Sequence, residues 1–434
     1  MEAIVIGGGP AGAATARTLA LLSRRVVRRV IVVERACDAA GVASELQPAL
    51  GLWPRAWESV RTLLGDGAAT ALAPHGMPPA CYRDLHGRVL SHCSHTDELS
   101  TFVRSVRTSA LVEALLDHEA IEVRTNAEVI DVASVADGAR VRLALAGGAT
   151  LEADAAIAAA GSRWDDDVAS DGGDVAATSD DGWTTIGGVL DDEQQLDRDA
   201  TVMWRGGGAG NARFAAGRLP YETLAPRGRR FAVVPLAGRS LFWFATVATR
   251  DVVSRGASAA EAAQQLPALF EGVRNPLDRA IAAHAAATAG AGIYVHRTAA
   301  SESRPLRTWT TELQPTLLRV GEASNAAGHS LAQGASLAIE DAAALGRALG
   351  SVLETDGLGL AWPTPRLAKA LLDGAWRQER ERRLKRHHFM TRALEIGTAC
   401  DSAVLARVRD VLLSSTPRAI NTRVFDAALR FSLN

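Results

Sequence analysis

The chain has 434 residues, of which 47% are hydrophobic and 22% charged, and its formal net charge at pH 7 is −2. This length can hold the cores of two domains, and the composition is ordinary for a globular enzyme. The charge gives no electrostatic reason to expect a nucleic-acid partner. The four cysteines lack CxxC spacing, and no apolar run reaches the roughly 18 residues of a membrane span. We therefore expect a cytoplasmic protein without disulfides or transmembrane segments.

The first residues of the chain have the pattern of a dinucleotide-binding βαβ unit. An apolar run at residues 3–6 enters a glycine turn, a helix-compatible segment covers residues 13–22, and a second apolar run covers residues 30–33. Glu34 follows that run, 22 residues after Gly12. This spacing is typical of the carboxylate that binds a ribose hydroxyl. The pattern therefore predicts a bound dinucleotide.

Each glycine of the turn has a physical role in such a site. Gly7 suits the tight turn, Gly9 lets the backbone approach a pyrophosphate, and Gly12 permits close packing of helix and strand. The helix N-terminus offers free N–H groups and a partial positive charge to the phosphates. The residues predicted to bind the cofactor in this unit are Gly7, Gly9, Ala11, Gly12, Glu34 and Arg35.

The middle of the chain alternates between helical and strand patterns. Helical periodicity predicts helices at residues 52–64 and 109–117, and alternation with Asp-Gly and Gly-Gly turns predicts strands between residues 122 and 158. Residues 164–199 are rich in Asp and Gly, which favours a solvated acidic excursion. Further strands and helices are predicted at residues 201–205, 231–235, 240–248, 259–269 and 277–287.

A second glycine-bearing segment occurs late in the chain. A strand predicted at residues 316–320 precedes residues 321–334, and a long helix is predicted at residues 335–349. The tail beyond residue 365 is helical and Arg-rich. Its run RQERERRLKRHH, residues 377–388, favours an exposed charged helix face.

The segment GEASNAAGHSLAQGASLAIEDA, residues 321–342, resembles the second FAD fingerprint of the group A flavoprotein monooxygenases, the aromatic-hydroxylase-like family. Members typically show GDAAH, a proline four residues on, and GQGxNxxxxDA. Four further stretches resemble the family in the same order, so the resemblance covers most of residues 1–350. The fingerprint matches are Gly321, Ala323, Gln333, Gly334, Asp341 and Ala342, and the further stretches are residues 50–56, 106–111, 230–245 and 305–309.

The resemblance implies an α/β fold in which a Rossmann-like three-layer FAD/NAD(P)-binding domain carries an inserted mixed-sheet substrate domain and C-terminal helices. The FAD-binding domain is expected at residues 1–170 and 296–350, and the substrate domain at residues 171–295. Residues 351–434 are expected to form the C-terminal helical region.

The resemblance also implies the chemistry. We expect an FAD-dependent monooxygenase in which NAD(P)H reduces the flavin, O2 forms a C4a-hydroperoxide, and oxygen is transferred to a small organic substrate, expected to be aromatic. Glu322 is suited to bind ribityl hydroxyls, and the helix beginning near Ala335 directs its positive end toward the flavin. The residues this implies for cofactor binding are Arg107, Gly321, Glu322, Gln333, Gly334 and Ala335.

The chain departs from the family pattern at four positions. Glu322 replaces an Asp, Asn325 a His, and His329 a Pro. The middle fingerprint, usually Ala-Asp-Gly, has Ala160 in place of its Asp, which bears on the use of NAD(P)H. Two alternatives stay open: another flavin oxidoreductase on the same fold, or an FAD-binding protein without turnover.

Several side chains allow two interpretations. His329 is a possible catalytic proton relay or a structural hydrogen-bonding group. Trp204, Tyr221, Trp243 and Phe244 either line a substrate pocket, for which His329 is a further candidate, or belong to the core of a second sheet. No arrangement of histidines, cysteines and acids predicts a metal site. The partners we expect are a small-molecule substrate and O2.

Overall fold

The computed structural model describes the greater part of the chain. The described residues are 2–22, 27–36, 47–73, 76–77, 81–91, 103–136, 140–161, 182–191, 220–237, 240–252, 258–288, 292–298, 317–324, 331–355, 376–398, 402–417, 419–420 and 423.

Strands and helices alternate through the first part of the chain, and helices alone close it. The strands are β1 (Glu2–Ile6), β2 (Arg29–Val33), β3 (Ala49–Leu52), β4 (Gly76–Met77), β5 (Cys81–Arg83), β6 (Val103–Arg107), β7 (Ile121–Arg124), β8 (Val129–Val135), β9 (Arg140–Leu145), β10 (Thr150–Ala153), β11 (Ala155–Ala158), β12 (Trp183–Leu190), β13 (Tyr221–Leu224), β14 (Arg230–Pro235), β15 (Leu241–Ala248), β16 (Ile293–Thr298) and β17 (Leu317–Arg319). The helices are α1 (Pro10–Leu21), α2 (Pro54–Leu64), α3 (Asp66–Leu72), α4 (Thr108–Leu116), α5 (Ala259–Leu269), α6 (Pro276–Ala287), α7 (Gly334–Thr355), α8 (Arg377–Thr398) and α9 (Ala403–Ser415).

The described structure has two units, each built around one large sheet. In the first unit, a five-stranded parallel sheet in the order β17-β11-β1-β2-β7 forms the middle layer. Both faces are buried along β1, β2 and β11, which explains their apolar runs, whereas the edge strand β7 carries Glu122 and Arg124. In β1, Ala3 and Val5 pack with residues of α1 and α7, whereas Ile4 and Ile6 pack with residues of β8 and β9. The antiparallel sheet β10-β9-β8 is the third layer. The predicted Rossmann-like three-layer fold is thus confirmed.

The second unit is a six-stranded sheet in the order β16-β12-β15-β14-β13-β5, which is antiparallel except for the β13–β5 pair. Helices α5 and α6 cover one face of this sheet. Residues 81–83, predicted within the first domain, form its edge strand, and β16 crosses the predicted boundary between residues 295 and 296. Neither assignment could be predicted from the local sequence, because β5 pairs with β13 and β16 with β12, both distant in the chain.

The prediction of an acidic excursion over residues 164–199 is wrong at residues 183–190. These residues form β12, a central strand between β15 and β16. Its two glycines obscured the strand pattern. A Cβ atom on Gly187 would lie 2.5 Å from Tyr294 Cε1 and 2.6 Å from the Trp243 carbonyl oxygen, so the close packing of three strands requires glycine there.

The prediction of an exposed charged face for residues 377–388 is also wrong in part. Arg380 is 0% exposed, Arg383 5% and His387 1%. Their helix, α8, packs against the first unit, and Trp376 and Leu384 join the core beside the parallel sheet. In the described part of the chain, no helix is both long and apolar enough to cross a membrane.

A buried polar cluster ties α6 to the second sheet. Asp278 is 1% exposed and accepts hydrogen bonds from the Tyr221 hydroxyl at 2.7 Å and the Thr223 hydroxyl at 2.6 Å. Asn275 caps the N-terminus of α6 and accepts from the backbone N–H of Leu277 at 3.2 Å. Burial raises the pKa of Asp278 from an ordinary 3.8 to about 7, although both hydroxyl bonds favour the carboxylate.

This pKa predicts how stability depends on pH. Between the two values the folded state binds more protons than the unfolded state, so the stability from Asp278 is present at low pH and is lost as pH rises through about 7. Lowering the pH from about 8 to about 5 should stabilise the natural protein relative to Asp278→Asn by about 2–3 kcal/mol. Denaturant titrations at several pH values measure this, and a difference that does not vary with pH would contradict it.

Candidate functional site

The site begins where the strands of the parallel sheet end. Gly7 N–H donates to the Val33 carbonyl at 2.8 Å, Ala159 N–H to the Ile6 carbonyl at 2.8 Å, and Val320 N–H to the Ala158 carbonyl at 3.0 Å. The residues that follow β1, β2, β11 and β17 therefore meet at one edge. In open α/β sheets, ligands bind in the crevice outside the carboxyl ends of the strands.

The first glycine turn is packed too closely for larger residues. Gly7 has φ = 102°, and a Cβ atom on it would lie 2.8 Å from the Ala159 carbonyl oxygen. A Cβ atom on Gly12 would lie 1.8 Å from the Gly7 carbonyl oxygen. These distances agree with the tight turn predicted at Gly7 and the close packing predicted at Gly12.

The N-terminus of α1 has the properties of an anion site. Gly9 is its N-cap, no side chain caps it among the described residues, and its first turn contains no acidic residue. Pro10 occupies the first position, and Ala13 N–H already bonds the Gly9 carbonyl at 2.8 Å. The N–H groups of Ala11 and Gly12 have no partner among the described residues, so they can bind a ligand where the helix dipole favours negative charge.

Glu34 lies directly against the glycine turn. Its carboxylate accepts from Gly8 N–H at 2.6 Å and from Ala36 N–H at 3.0 Å. The side chain is half-buried, whereas neighbouring Arg35 is exposed. Two backbone donors hold the carboxylate beside the N-terminus of α1, the position in which it would meet the ribose of a dinucleotide.

The second glycine segment reaches the same edge. Gly321 has φ = 62°, and a Cβ atom on it would lie 3.0 Å from the Cβ atom of Ala11 and 3.1 Å from that of Ala338. The loop that follows β17 is therefore pressed between α1 and α7. Glu322 is half-buried, and a Cβ atom on Gly161 would lie 3.8 Å from its carboxylate oxygen. The structure thus brings together the two segments that the sequence predicted to share a ligand.

The start of α7 is fixed by hydrogen bonds to β3 and to the residue that follows it. The Ser336 hydroxyl accepts from Trp53 N–H at 3.1 Å and donates to the Gly51 carbonyl at 3.3 Å. Gln333 precedes the helix and is 3% exposed, while Gly334 and Ala335 are half-buried. Gln333, Gly334 and Ala335, all predicted to bind the cofactor, therefore lie together at the N-terminus of α7.

An ion cluster behind this segment was missed by the sequence analysis. Arg380 donates to Asp341 at 2.6 Å, to Glu340 at 2.9 Å and to the Leu337 carbonyl at 3.0 Å. Asp341 in turn accepts from the backbone N–H of Gly321 at 3.0 Å. Arginines in a charge-rich helical run give no signal that distinguishes buried ones from exposed ones.

Burial and charge act in opposite directions on the two acids of this cluster. Burial disfavours ionisation of Glu340, but Arg380 and Arg383 outweigh it and hold the pKa of that carboxyl below its usual value. Burial raises the pKa of Asp341, which Arg380 and the Gly321 N–H offset only in part. Burial and the nearby Arg383 also lower the pKa of His387 to about 3, so its imidazole is neutral.

Arg107 lies between the two units. It is the last residue of β6, and its guanidinium bonds the Asp191 carboxylate and, at 3.1 Å, the Ser240 hydroxyl. Ser105, two residues earlier, donates to the Pro235 carbonyl at 2.7 Å. These contacts place one end of the second sheet against β6, which pairs with β3 beside the start of α7.

Tyr221 and Trp243 do not face this junction. Both are members of the core cluster between the second sheet and helices α5 and α6, and Trp243 stacks on Phe231 with ring centroids 5.8 Å apart. Both side chains therefore belong to the core of the second sheet, which is the core interpretation. Alternation along β15 places Phe242 and Phe244 on the opposite face.

That opposite face carries Phe244, one of the predicted pocket candidates, and two aromatic residues that the sequence did not single out, Phe242 and Tyr294. Phe242, Phe244 and Tyr294 form one cluster with Ala49 of β3 and Leu236. Among the described residues, the buried Tyr294 hydroxyl has no hydrogen-bond partner, and burial raises its pKa. His329 and Trp204, two further candidates, lie outside the described residues.

Comparison with solved structures gives the same fold. The structure resembles HpxO of Klebsiella pneumoniae complexed with FAD and uric acid, with a TM-score of 0.69 and 16% identity over 100% of this chain and 97% of that one. It also resembles CtdE in complex with FAD and a substrate (TM-score 0.70, 15% identity, 100% and 99% covered) and a salicylate hydroxylase substrate complex (0.64, 16%, 100% and 98%). The chain shares their fold. No protein-family model and no curated protein sequence matches it.

The packing at Gly12 leads to a stability prediction. Gly12→Ala should destabilise the protein by roughly 2 kcal/mol or more, because the new methyl group meets the Gly7 carbonyl and the backbone must shift. Gly67→Ala is the matched control, since Gly67 lies in α3 with nothing within 4 Å of the new atom, and alanine there should stabilise by about 0.5–1 kcal/mol. Thermal unfolding of both variants measures the difference, and equal melting temperatures would contradict it.

Proposed function

We propose that the protein is an FAD-dependent monooxygenase that uses NAD(P)H and O2 to hydroxylate a small aromatic substrate. The observation that carries this proposal is the meeting of both glycine segments at one edge of the parallel sheet. Gly321 lies against Ala11 there, and Glu34 lies against the first turn. The sequence resemblance to group A flavoprotein monooxygenases supports the same assignment.

The residues at this edge fit FAD. The uncapped N-terminus of α1 suits a pyrophosphate, and the Glu34 carboxylate suits a ribose hydroxyl. Glu322 has no hydrogen bond to another described residue and is free to accept one from a ribityl hydroxyl. When bound, FAD supplies the redox chemistry and the activation of oxygen. The protein residues bind and orient it.

Two aspects of the structure bear on substrate and turnover. The face of the second sheet that meets β3 is aromatic, with Phe242, Phe244 and Tyr294 packed in one cluster, and an apolar site beside this face would suit an aromatic compound. The fold is shared with HpxO complexed with FAD and uric acid and with a salicylate hydroxylase. At the middle fingerprint Ala160 takes the place of the family's Asp, and a Cβ atom on the neighbouring Gly161 would lie 3.8 Å from a carboxylate oxygen of Glu322, which takes the place of a second family Asp.

Cofactor content and affinity test the proposed site. The purified protein should be yellow, with flavin bands near about 370 and 450 nm. Glu34→Ala should weaken FAD binding by roughly 1.5–3 kcal/mol, because it removes a charge-assisted hydrogen bond. Glu113→Ala, on the exposed face of α4, is the control and should leave the affinity unchanged. A colourless protein that takes up no FAD would refute the assignment, as would natural affinity in Glu34→Ala.

Anaerobic reduction tests turnover. NADH or NADPH should bleach the band near about 450 nm, and a suitable aromatic compound should accelerate the bleaching and yield a hydroxylated product under air. Stopped-flow absorbance and product analysis measure the two steps. Reduction without a hydroxylated product would favour another flavin oxidoreductase. No reduction by either nicotinamide across a broad aromatic panel would favour an FAD-binding protein without turnover.

A further inference from the structure

A side chain of the C-terminal helix reaches the proposed flavin site. Arg383 of α8 donates from Nη2 to Gln333 Oε1 at 3.1 Å. Gln333 directly precedes α7, and both side chains are almost fully buried, at 5% and 3% exposure. The inference drawn from this contact rests on the proposed function, because it concerns how FAD is held.

The guanidinium of Arg383 cannot rotate freely. Its Nε donates to Glu340 Oε2 at 3.1 Å, and its Nη2 donates to Glu340 Oε1 at 3.2 Å. Glu340 is itself bonded to Arg380, which also binds Asp341. Buried, paired charges of this kind have a single low-energy arrangement, so the donor that faces Gln333 has a defined position.

This contact determines which end of the Gln333 amide is available. A guanidinium only donates hydrogen bonds, so the carbonyl oxygen of the amide must face Arg383. The Nε2 amide nitrogen is then the opposite end, and it makes no hydrogen bond to another described residue. It lies at the N-terminus of α7, the helix end that directs positive charge toward the proposed flavin site.

We propose that Arg383 is a positioning residue of the FAD site. It holds the Gln333 carbonyl, so that the amide N–H groups are presented to the bound cofactor as donors. Helix α8 thereby supports the cofactor site, although Arg383 itself does not contact the cofactor. The Gly321 loop is linked to the same helix through Asp341 and Arg380.

A double-mutant cycle on FAD affinity tests this proposal. The variants are Arg383→Met, Gln333→Met and the double variant, each measured by FAD titration and by the unfolding temperature without FAD. Each single substitution should weaken FAD binding roughly ten- to hundredfold, the range for a hydrogen bond to a charged group. The double variant should bind no more weakly than the weaker single variant, because Arg383 acts through Gln333.

Two further variants make the test selective. Arg382→Met replaces the exposed neighbour and should leave FAD affinity unchanged. Arg383→Lys keeps a charge beside Glu340 but loses the fixed fork of donors, so its affinity should lie between those of the natural protein and Arg383→Met. If Arg383→Met fails to fold, Arg383→Lys takes its place in the double-mutant cycle.

Specific outcomes would overturn the proposal. One such outcome is that Arg383→Met binds FAD as tightly as the natural protein does. The other is that the affinity losses of the two single variants add up in the double variant. Either would show that Arg383 does not act through Gln333. Either result leaves the proposed function intact, since the natural protein still binds FAD. Failure of the natural protein to bind FAD would overturn both proposals, which separates the two cases.

Discussion

Four almost completely buried charged side chains join three parts of the chain that are distant in sequence. Arg380 and Arg383 come from α8, and Glu340 and Asp341 from α7. Through Asp341 the cluster also holds the Gly321 loop. Such a cluster adds little net stability against well-packed apolar residues, but removing one partner leaves an uncompensated charge at a cost of about 3–5 kcal/mol. The cluster therefore couples the packing of α8 to the position of the Gly321 loop.

The fold of the first unit could be predicted from sequence because its signals are local. Apolar runs buried on both faces, a glycine turn and an acid after the second strand identify a βαβ unit within 35 residues. The site geometry follows, since parallel strands bring their carboxyl ends to one edge. This is why Gly7, Glu34 and Gly321, predicted separately, lie together. Their roles toward a ligand stay predictions.

The second unit and the C-terminal helix α8 were harder to predict because their decisive contacts are not local. The strand at residues 183–190 contains two glycines that only the facing Tyr294 and Trp243 explain. Arg380 and Arg383 lie in a run whose composition is that of an exposed helix, and only the acids of α7, some 40 residues earlier, show that they are buried. Composition describes a segment, whereas burial depends on its partner.

The aromatic residues of β15 show that the sequence also cannot tell which of two neighbouring side chains lies in the core. Consecutive residues of a strand point to opposite faces, so Trp243 belongs to the core, whereas Phe242 and Phe244 face the first unit. The alternation can be read from sequence, but which face receives α5 and α6 cannot. The helix-covered face serves stability, and only the other face borders the proposed flavin site. Aromatic content alone therefore cannot locate a substrate pocket in such a sheet, because the position of the covering helices decides it.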